Sequence, residues 1–238
     1  MFDRDYLYFY DRVLGEQRSS IDAALVVRLF AIKPGMRILD VPCGEGRIAG
    51  RLARHGCDVV GVDQSELFLE IAEQRWPSVS FVRADMRQLA FEGEFDAVVN
   101  WFTSFGYFDR TENDEVLVGF ARALRPGGRL LLEMLNPARL ARLMELTGGE
   151  SAVVTERGTD LMVDRVSYDS VEGFSHTDRF LIRDGHVRKL HFSLEQVPAP
   201  QLVERLHDAG FAEVRLFGRD GTVFEPDGSR LIALAERT

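Results

Sequence analysis

Four short segments carry side chains that could hold and transform a small molecule. Asp40 ends the apolar run MRILD and is followed by Val-Pro-Cys-Gly-Glu-Gly-Arg, where Gly44 and Gly46 let a ligand approach the backbone at the start of a helix. Asp63 ends a second apolar run, CDVVGVD, where a carboxylate can accept hydrogen bonds from both hydroxyls of a ribose. Ala84-Asp85-Met86 pairs an acceptor for an exocyclic amine with an apolar side chain able to pack on a flat base. The fourth segment begins at Asn100 and holds Trp101, Phe102, Phe105, Tyr107 and Phe108, enough aromatic surface for a pocket wall. Asp40 also bears on charge: it would repel a pyrophosphate and suits a ligand that carries an ammonium group.

Such segments must sit at strand ends, and the pattern supplies the strands. Apolar residues at helical spacing in SSIDAALVVRLFAI predict a helix capped by Ser19 or Ser20 and stopped by Lys33-Pro34-Gly35. MRILDV then reads as a buried strand, GRIAGRLARHG as a helix closed by Gly56, and CDVVGVD as a second strand. A helix over 65–75, strands over 79–83 and 95–99, a helix over 111–124 and a strand over 128–135 continue the alternation. Near-continuous apolar strands alternating with helices predict a doubly wound parallel sheet covered on both faces, with right-handed crossovers. Arg125-Pro-Gly-Gly128 fits a type II turn. From about residue 151 the texture changes to LMVDRVSYD, FSHTDRFLIR and HVRKLHFSLEQV, an antiparallel meander whose last two strands flank the type I′ hairpin dipeptide Asp184-Gly185. QLVERLHDAG is a helix ended by Gly210, and AEVRLFG and SRLIALAER supply closing strands.

LDVPCGEGR, VVGVDQS, RADM and LRPGGRLLLE, in this order over roughly residues 36–136, resemble the motifs of class I S-adenosylmethionine-dependent methyltransferases. The resemblance implies an α/β fold: a Rossmann-like, mostly parallel seven-stranded sheet with an antiparallel β insertion after the fifth strand. It divides the chain into an N-terminal helical lid (1–35), a cofactor-binding core (36–150), the insertion (151–196) and the C-terminal part of the core (197–238). It further implies that Pro42, Cys43, Gly44 and Gly46 embrace the methionine part of S-adenosylmethionine and that Asp40 helps hold its amino group. Asp63 would take the ribose, Gln64 and Met86 would flank adenine, Asp85 would meet its amine, and the main chain at Asn100 and Trp101 would face the sulfonium. Pro42 stands where the family usually has its first glycine. The insertion resembles that of small-molecule methyltransferases acting on amino sugars and peptide amines. The implied reaction carries a methyl group to N, O or C of a small-molecule acceptor and leaves S-adenosylhomocysteine.

The acceptor pocket is expected from Tyr8, Tyr10, Phe102, Phe105 and Tyr107, with Phe2, Tyr6 and Phe9 completing an aromatic N-terminal lid or packing helix. Tyr107 and His191 are the catalytic candidates, and His176 a lesser one whose ordinary place would be a sheet surface. Gly44-Glu-Gly46-Arg-Ile-Ala49 with Asp63 also satisfies a dinucleotide fingerprint, so an NAD(P)-dependent oxidoreductase is the main rival. A protein or RNA methyltransferase and a non-catalytic cofactor binder are further alternatives. Asp85 could instead be a helix N-cap or salt-bridge partner. The 238 residues carry 38 acidic against 29 basic side chains, a formal charge of −9 that disfavours nucleic acid. No run is long enough to cross a membrane, and the two cysteines lack metal-ligand spacing, so the expectation is a cytoplasmic protein without a metal. Edge strands of the meander would suit a homodimer.

Overall fold

The structure, a computed structural model, describes residues 3–11 and 13–238. Seven strands form one sheet in the order β10-β11-β5-β4-β1-β2-β3: β1 (Arg37–Asp40), β2 (Asp58–Asp63), β3 (Ser80–Arg83), β4 (Phe95–Asn100), β5 (Leu124–Leu135), β10 (Phe211–Phe217) and β11 (Arg230–Arg237). β1 pairs in parallel with β2 and with β4, while β11 runs antiparallel to both β5 and β10. The expected seven-stranded, mostly parallel sheet is therefore present. Its central strands are apolar on both faces because helices cover both: α2 (Glu16–Phe30) and α3 (Ala49–Arg54) belong to one side, and α5 (Arg110–Ala123) and α7 (Ala199–Asp208) to the other. α4 (Glu66–Arg75) joins β2 to β3, its N-terminus capped by the Ser65 hydroxyl. Chain order reverses at β1, whose neighbours are β2 and β4, so a ligand crevice opens at their carboxyl ends.

The second sheet has four antiparallel strands, β6 (Glu150–Arg157), β7 (Asp160–Asp169), β8 (Phe174–Arg183) and β9 (His186–Glu195). Asp184 and Gly185 both have positive φ, 51° and 76°, as the type I′ turn requires. Two elements exceed the sequence expectation. Strand β6 is largely exposed and lacks a clean alternation, so its pattern carried little signal. Helix α6 (Pro137–Thr147) was signalled by Asn136-Pro137, a capping residue followed by proline at the first helical position. α2 begins at Glu16 with Gly15 as its N-cap, ahead of the expected cap at Ser19 or Ser20, and the Ser19 hydroxyl donates to the Leu14 carbonyl instead. Residues 125–128 loop out of β5, with Gly127 at φ 74°, as the third residue of a type II turn needs.

A short helix, α1 (Arg4–Tyr10), docks on the second sheet. Phe9 is buried with Met162 and Leu181, and Asp5 and Asp3 pair with Arg183 and Arg188 at 2.9 and 2.7 Å. Phe2 lies outside the described residues.

Candidate active site

The ends of β1 and β2 are shaped by backbone donors. Asp40, at the end of β1, is 1% exposed, and its Oδ2 accepts from the Ala49 amide at 3.0 Å, the first residue of α3. Burial pushes its carboxyl up to about 7, opposed by that amide and by Arg47. Asp63 Oδ2 accepts from the Gly44 amide at 2.9 Å and Oδ1 from the Ser65 amide at 2.8 Å; burial raises its pKa, and these hydrogen bonds oppose the rise. Asp63 thereby ties the first loop to the second strand end. Gly44 has φ 55°, and a Cβ there would meet only the Phe68 ring, at 4.0 Å, so the backbone lies open to the cavity. Gly46 has a different use. A Cβ on it would fall 2.9 Å from Trp76 and 3.0 Å from Phe81, so it lets the loop pack on those rings and does not line the cavity.

Asn100 is also absent from the lining. It is fully buried, and its Nδ2 donates to the Val41 carbonyl at 2.8 Å, so it fastens the end of β4 to the β1 loop. Asp85 does line the cavity, and both alternatives raised for it are present as well. It accepts from the Arg87 amide at 2.9 Å, capping a short 3-10 turn over Met86–Gln88, and the Arg87 side chain forks onto both its oxygens, the closest contact 2.6 Å. That guanidinium holds the Asp85 carboxyl below the usual range. A ligand amine reaching Asp85 would share it with Arg87.

One continuous cavity of about 660 Å³ joins these residues to an aromatic end. Asp40, Pro42, Cys43, Gly44, Asp63, Gln64, Asp85, Met86 and Trp101 line one part. Tyr6, Phe102, Tyr107, His191 and Phe192 line the rest, and burial raises the pKa of both tyrosines. His191 Nδ1 lies 2.9 Å from Asp178 Oδ1.

Three residues expected against an acceptor are not at the cavity wall. Phe105 is fully buried in the core between the sheet and α5. Tyr10 stacks on Tyr6 with ring centroids 4.4 Å apart, and its hydroxyl accepts from Arg179 at 3.0 Å. Tyr8 lies under the guanidiniums of Arg157 and Arg183, 4.2 and 4.0 Å from its ring centre. On a single helix Tyr6 and Tyr10 share a face, and only the tertiary packing decides which of them meets the cavity. His176 is likewise outside it, with Nδ1 2.8 Å from the Ser193 hydroxyl.

Residues 38–128 match the family model described as a methyltransferase domain. The chain is 34% identical over 169 residues to the cypemycin N-terminal methyltransferase of Streptomyces sp., covering 68% of this chain and 66% of that protein. The chain belongs to the methyltransferases and has the fold of the class I S-adenosylmethionine-dependent enzymes. Its fold is shared with the CcbJ methyltransferase from Streptomyces caelestis, at TM-score 0.78 and 20% identity over 94% of this chain and 97% of that one. It is shared too with the sugar N-methyltransferase KedS8 from Streptoalloteichus sp., at TM-score 0.74 and 22% identity over 100% and 94%. The chain spans about half to two thirds of the length of the curated relatives it matches.

In this family member the residues present fit the family's cofactor. The open backbone at Gly44 forms a cradle, and the buried Asp63 carboxylate keeps lone pairs beyond the two amides it already serves. Sequence reasoning missed Arg47, which lines the cavity, is 7% exposed and donates to the equally buried Asp22 at 2.8 Å. Its partner lies 25 residues earlier on α2, a pairing that no local motif announces. Phe192 was missed for the same reason, since its strand reaches the cavity only through the docking of the second sheet. Among the described residues no group of three or more His, Cys, Asp or Glu side chains is arranged to hold a metal, and no helix is long and apolar enough to cross a membrane.

Proposed function

We propose that this protein transfers the methyl group of S-adenosylmethionine to a nucleophilic N, O or C atom of a small-molecule acceptor. The observation that carries the reading is one continuous cavity with buried carboxylates and an open glycine at one end and aromatic rings with His191 at the other. When bound, S-adenosylmethionine supplies an electrophilic methyl group on a sulfonium. Asp63 would accept from the ribose hydroxyls, Asp40 from the ammonium, and Arg47 would face the carboxylate of the methionyl part. Gln64, Met86 and Asp85 would surround adenine, and Trp101 would border the reacting region. Tyr6, Phe102, Tyr107 and Phe192 would orient the acceptor and exclude water, which supplies acceleration through proximity and alignment. His191, with Nδ1 turned to Asp178, would take at Nε2 the proton that an amine or hydroxyl acceptor releases. α1 and the second sheet would act together as the roof. The named substrates of the similar proteins, a peptide N-terminus and a sugar amine, favour an amine acceptor.

The rival dinucleotide reading loses support at α3. There the Asp40 carboxylate occupies the first helical amide and brings negative charge to the place where a pyrophosphate would need free donors. Calorimetric titration with S-adenosylmethionine, S-adenosylhomocysteine and NAD tests the choice. Micromolar binding of the first two, lost in Asp63→Ala, is expected; binding of NAD alone would overturn the reading.

A further inference from the structure

Immediately after β4 the chain makes a turn that its side chains resist. Phe102 and Thr103 are consecutive non-glycine residues with φ of 66° and 55°, and threonine, being β-branched, is among the residues least suited to this region. Such backbone persists only when its surroundings over-determine it, and here they do so from the antiparallel side of the sheet. The Phe102 amide donates to Glu133 Oε2 at 2.7 Å, and the Thr103 amide donates to the Glu133 carbonyl at 3.0 Å. Glu133, on β5, is 2% exposed, and its Oε1 is held by Arg230 of β11. Arg230 also donates to Thr103 Oγ1 at 3.1 Å, which accepts from the Leu135 amide at 3.1 Å. The product of this bracing is the placement of Phe102 in the cavity wall, its ring centre 5.2 Å from the Arg47 guanidinium and 5.5 Å from that of Arg230.

We infer that Glu133 and Arg230 are positioning residues for the active site: together they hold the Phe102–Thr103 turn in its left-handed form and so set the cavity wall where cofactor and acceptor would meet. Neither residue lines the cavity, so each acts through the turn. A buried carboxylate whose two oxygens are divided between a strained amide and a guanidinium is a costly arrangement for sheet stability alone, because apolar residues would fill the same space more simply. The bonds to Thr103 and the Phe102 amide give it a purpose. The inference rests on the function proposed above only in what the wall is for; the bracing itself is testable without a ligand.

The chain's two tryptophans are Trp76 and Trp101, so Trp76→Phe leaves Trp101, the buried neighbour of the turn, as the sole reporter. In that background Glu133→Gln and Arg230→Lys should raise acrylamide quenching of Trp101 by about twofold as the turn relaxes. Adding Thr103→Gly, a residue that adopts positive φ without strain, should return the quenching toward its starting value in each case. In parallel, the Kd for S-adenosylhomocysteine should weaken about tenfold in Glu133→Gln and recover in the same double variant. Quenching unchanged by both single variants, or raised but not recovered by glycine, would overturn the inference and leave the pair as ordinary sheet packing. Failure of the parent chain to bind S-adenosylhomocysteine would instead count against the cofactor reading, and the quenching comparison would still decide the bracing.

Discussion

The two ends of the cavity are built by different means. At the cofactor end, Asp40, Gly44 and Asp63 belong to strand ends buried in a seven-stranded sheet, and their contacts are to backbone amides a few residues to about twenty residues away. At the aromatic end, Tyr6 is carried by a helix of seven residues, and α1 is held to the second sheet by side chains far apart in sequence. Backbone amides stay in place whichever side chain is substituted, whereas partly exposed ion pairs are individually weak and screened by salt. A fixed cofactor platform beneath an adjustable acceptor roof is the division that results.

Four measurements would break or sharpen that contrast. Gly50 has the largest expected effect: a Cβ there would sit 1.9 Å from the Trp76 ring, so Gly50→Ala should cost about 3 kcal/mol of unfolding free energy in urea titration. A smaller change than about 1 kcal/mol would mean that the platform yields more readily than its packing implies. Asp63→Ala should weaken S-adenosylmethionine about a hundredfold by calorimetry, since hydrogen bonds to a charged group are lost, while protease sensitivity of α1 stays as in the parent. If both changed together, the two ends would not be separable.

Asp40 predicts a pH signature with two opposite signs. Its folded pKa, about 7, stands above the ordinary 3.8, so the folded state binds its proton more tightly than the unfolded chain. Its contribution to stability is therefore complete below the ordinary value and is lost as pH rises toward 7. Binding of a cofactor ammonium needs the ionised form, so affinity should improve with pH, about tenfold per unit below 7, and level off above. Asp40→Asn should flatten both slopes in thermal unfolding and titration series, leaving in the first the share of other shifted carboxyls such as Asp63. Equal slopes in parent and variant would remove Asp40 from the ammonium site. The smallest effect is expected at the roof: Asp5→Ala, which removes pairs with Arg183 and Arg188 at 2.9 and 3.0 Å, should cost about 0.5 kcal/mol, an effect that fades in high salt. Proteolysis between α1 and α2 would report it, and a salt-independent cost would show that packing, not charge, holds the roof.

Much of the platform was legible without coordinates. Apolar runs ending in Asp40, Asp63 and Asn100 announce strands whose carboxyl ends face one crevice, because a parallel sheet with helical crossovers allows little else. Gly44 and Met86 line the cavity from their places just beyond those ends, and Pro42, Cys43 and Gln64 line it as the family resemblance implied. What the local pattern could not supply depends on partners distant in sequence: Arg47 against Asp22, Glu133 against Arg230, and Tyr6 facing the cavity while Tyr10 stacks upon it. Phe105 and Gly46 mark the same boundary from the other side, since an aromatic or a glycine in a strand-end loop satisfies a core as readily as a ligand. The sequence by itself determined the alternation of strands and helices, the hand of the crossovers between parallel strands and the loops that could meet a cofactor, consequences of periodicity, chain chirality and turn chemistry. Only the tertiary structure decided which side chains face the cavity and what holds the strained turn beside it. Those outcomes are set by long-range contacts whose partners the chain does not place near one another until it has folded.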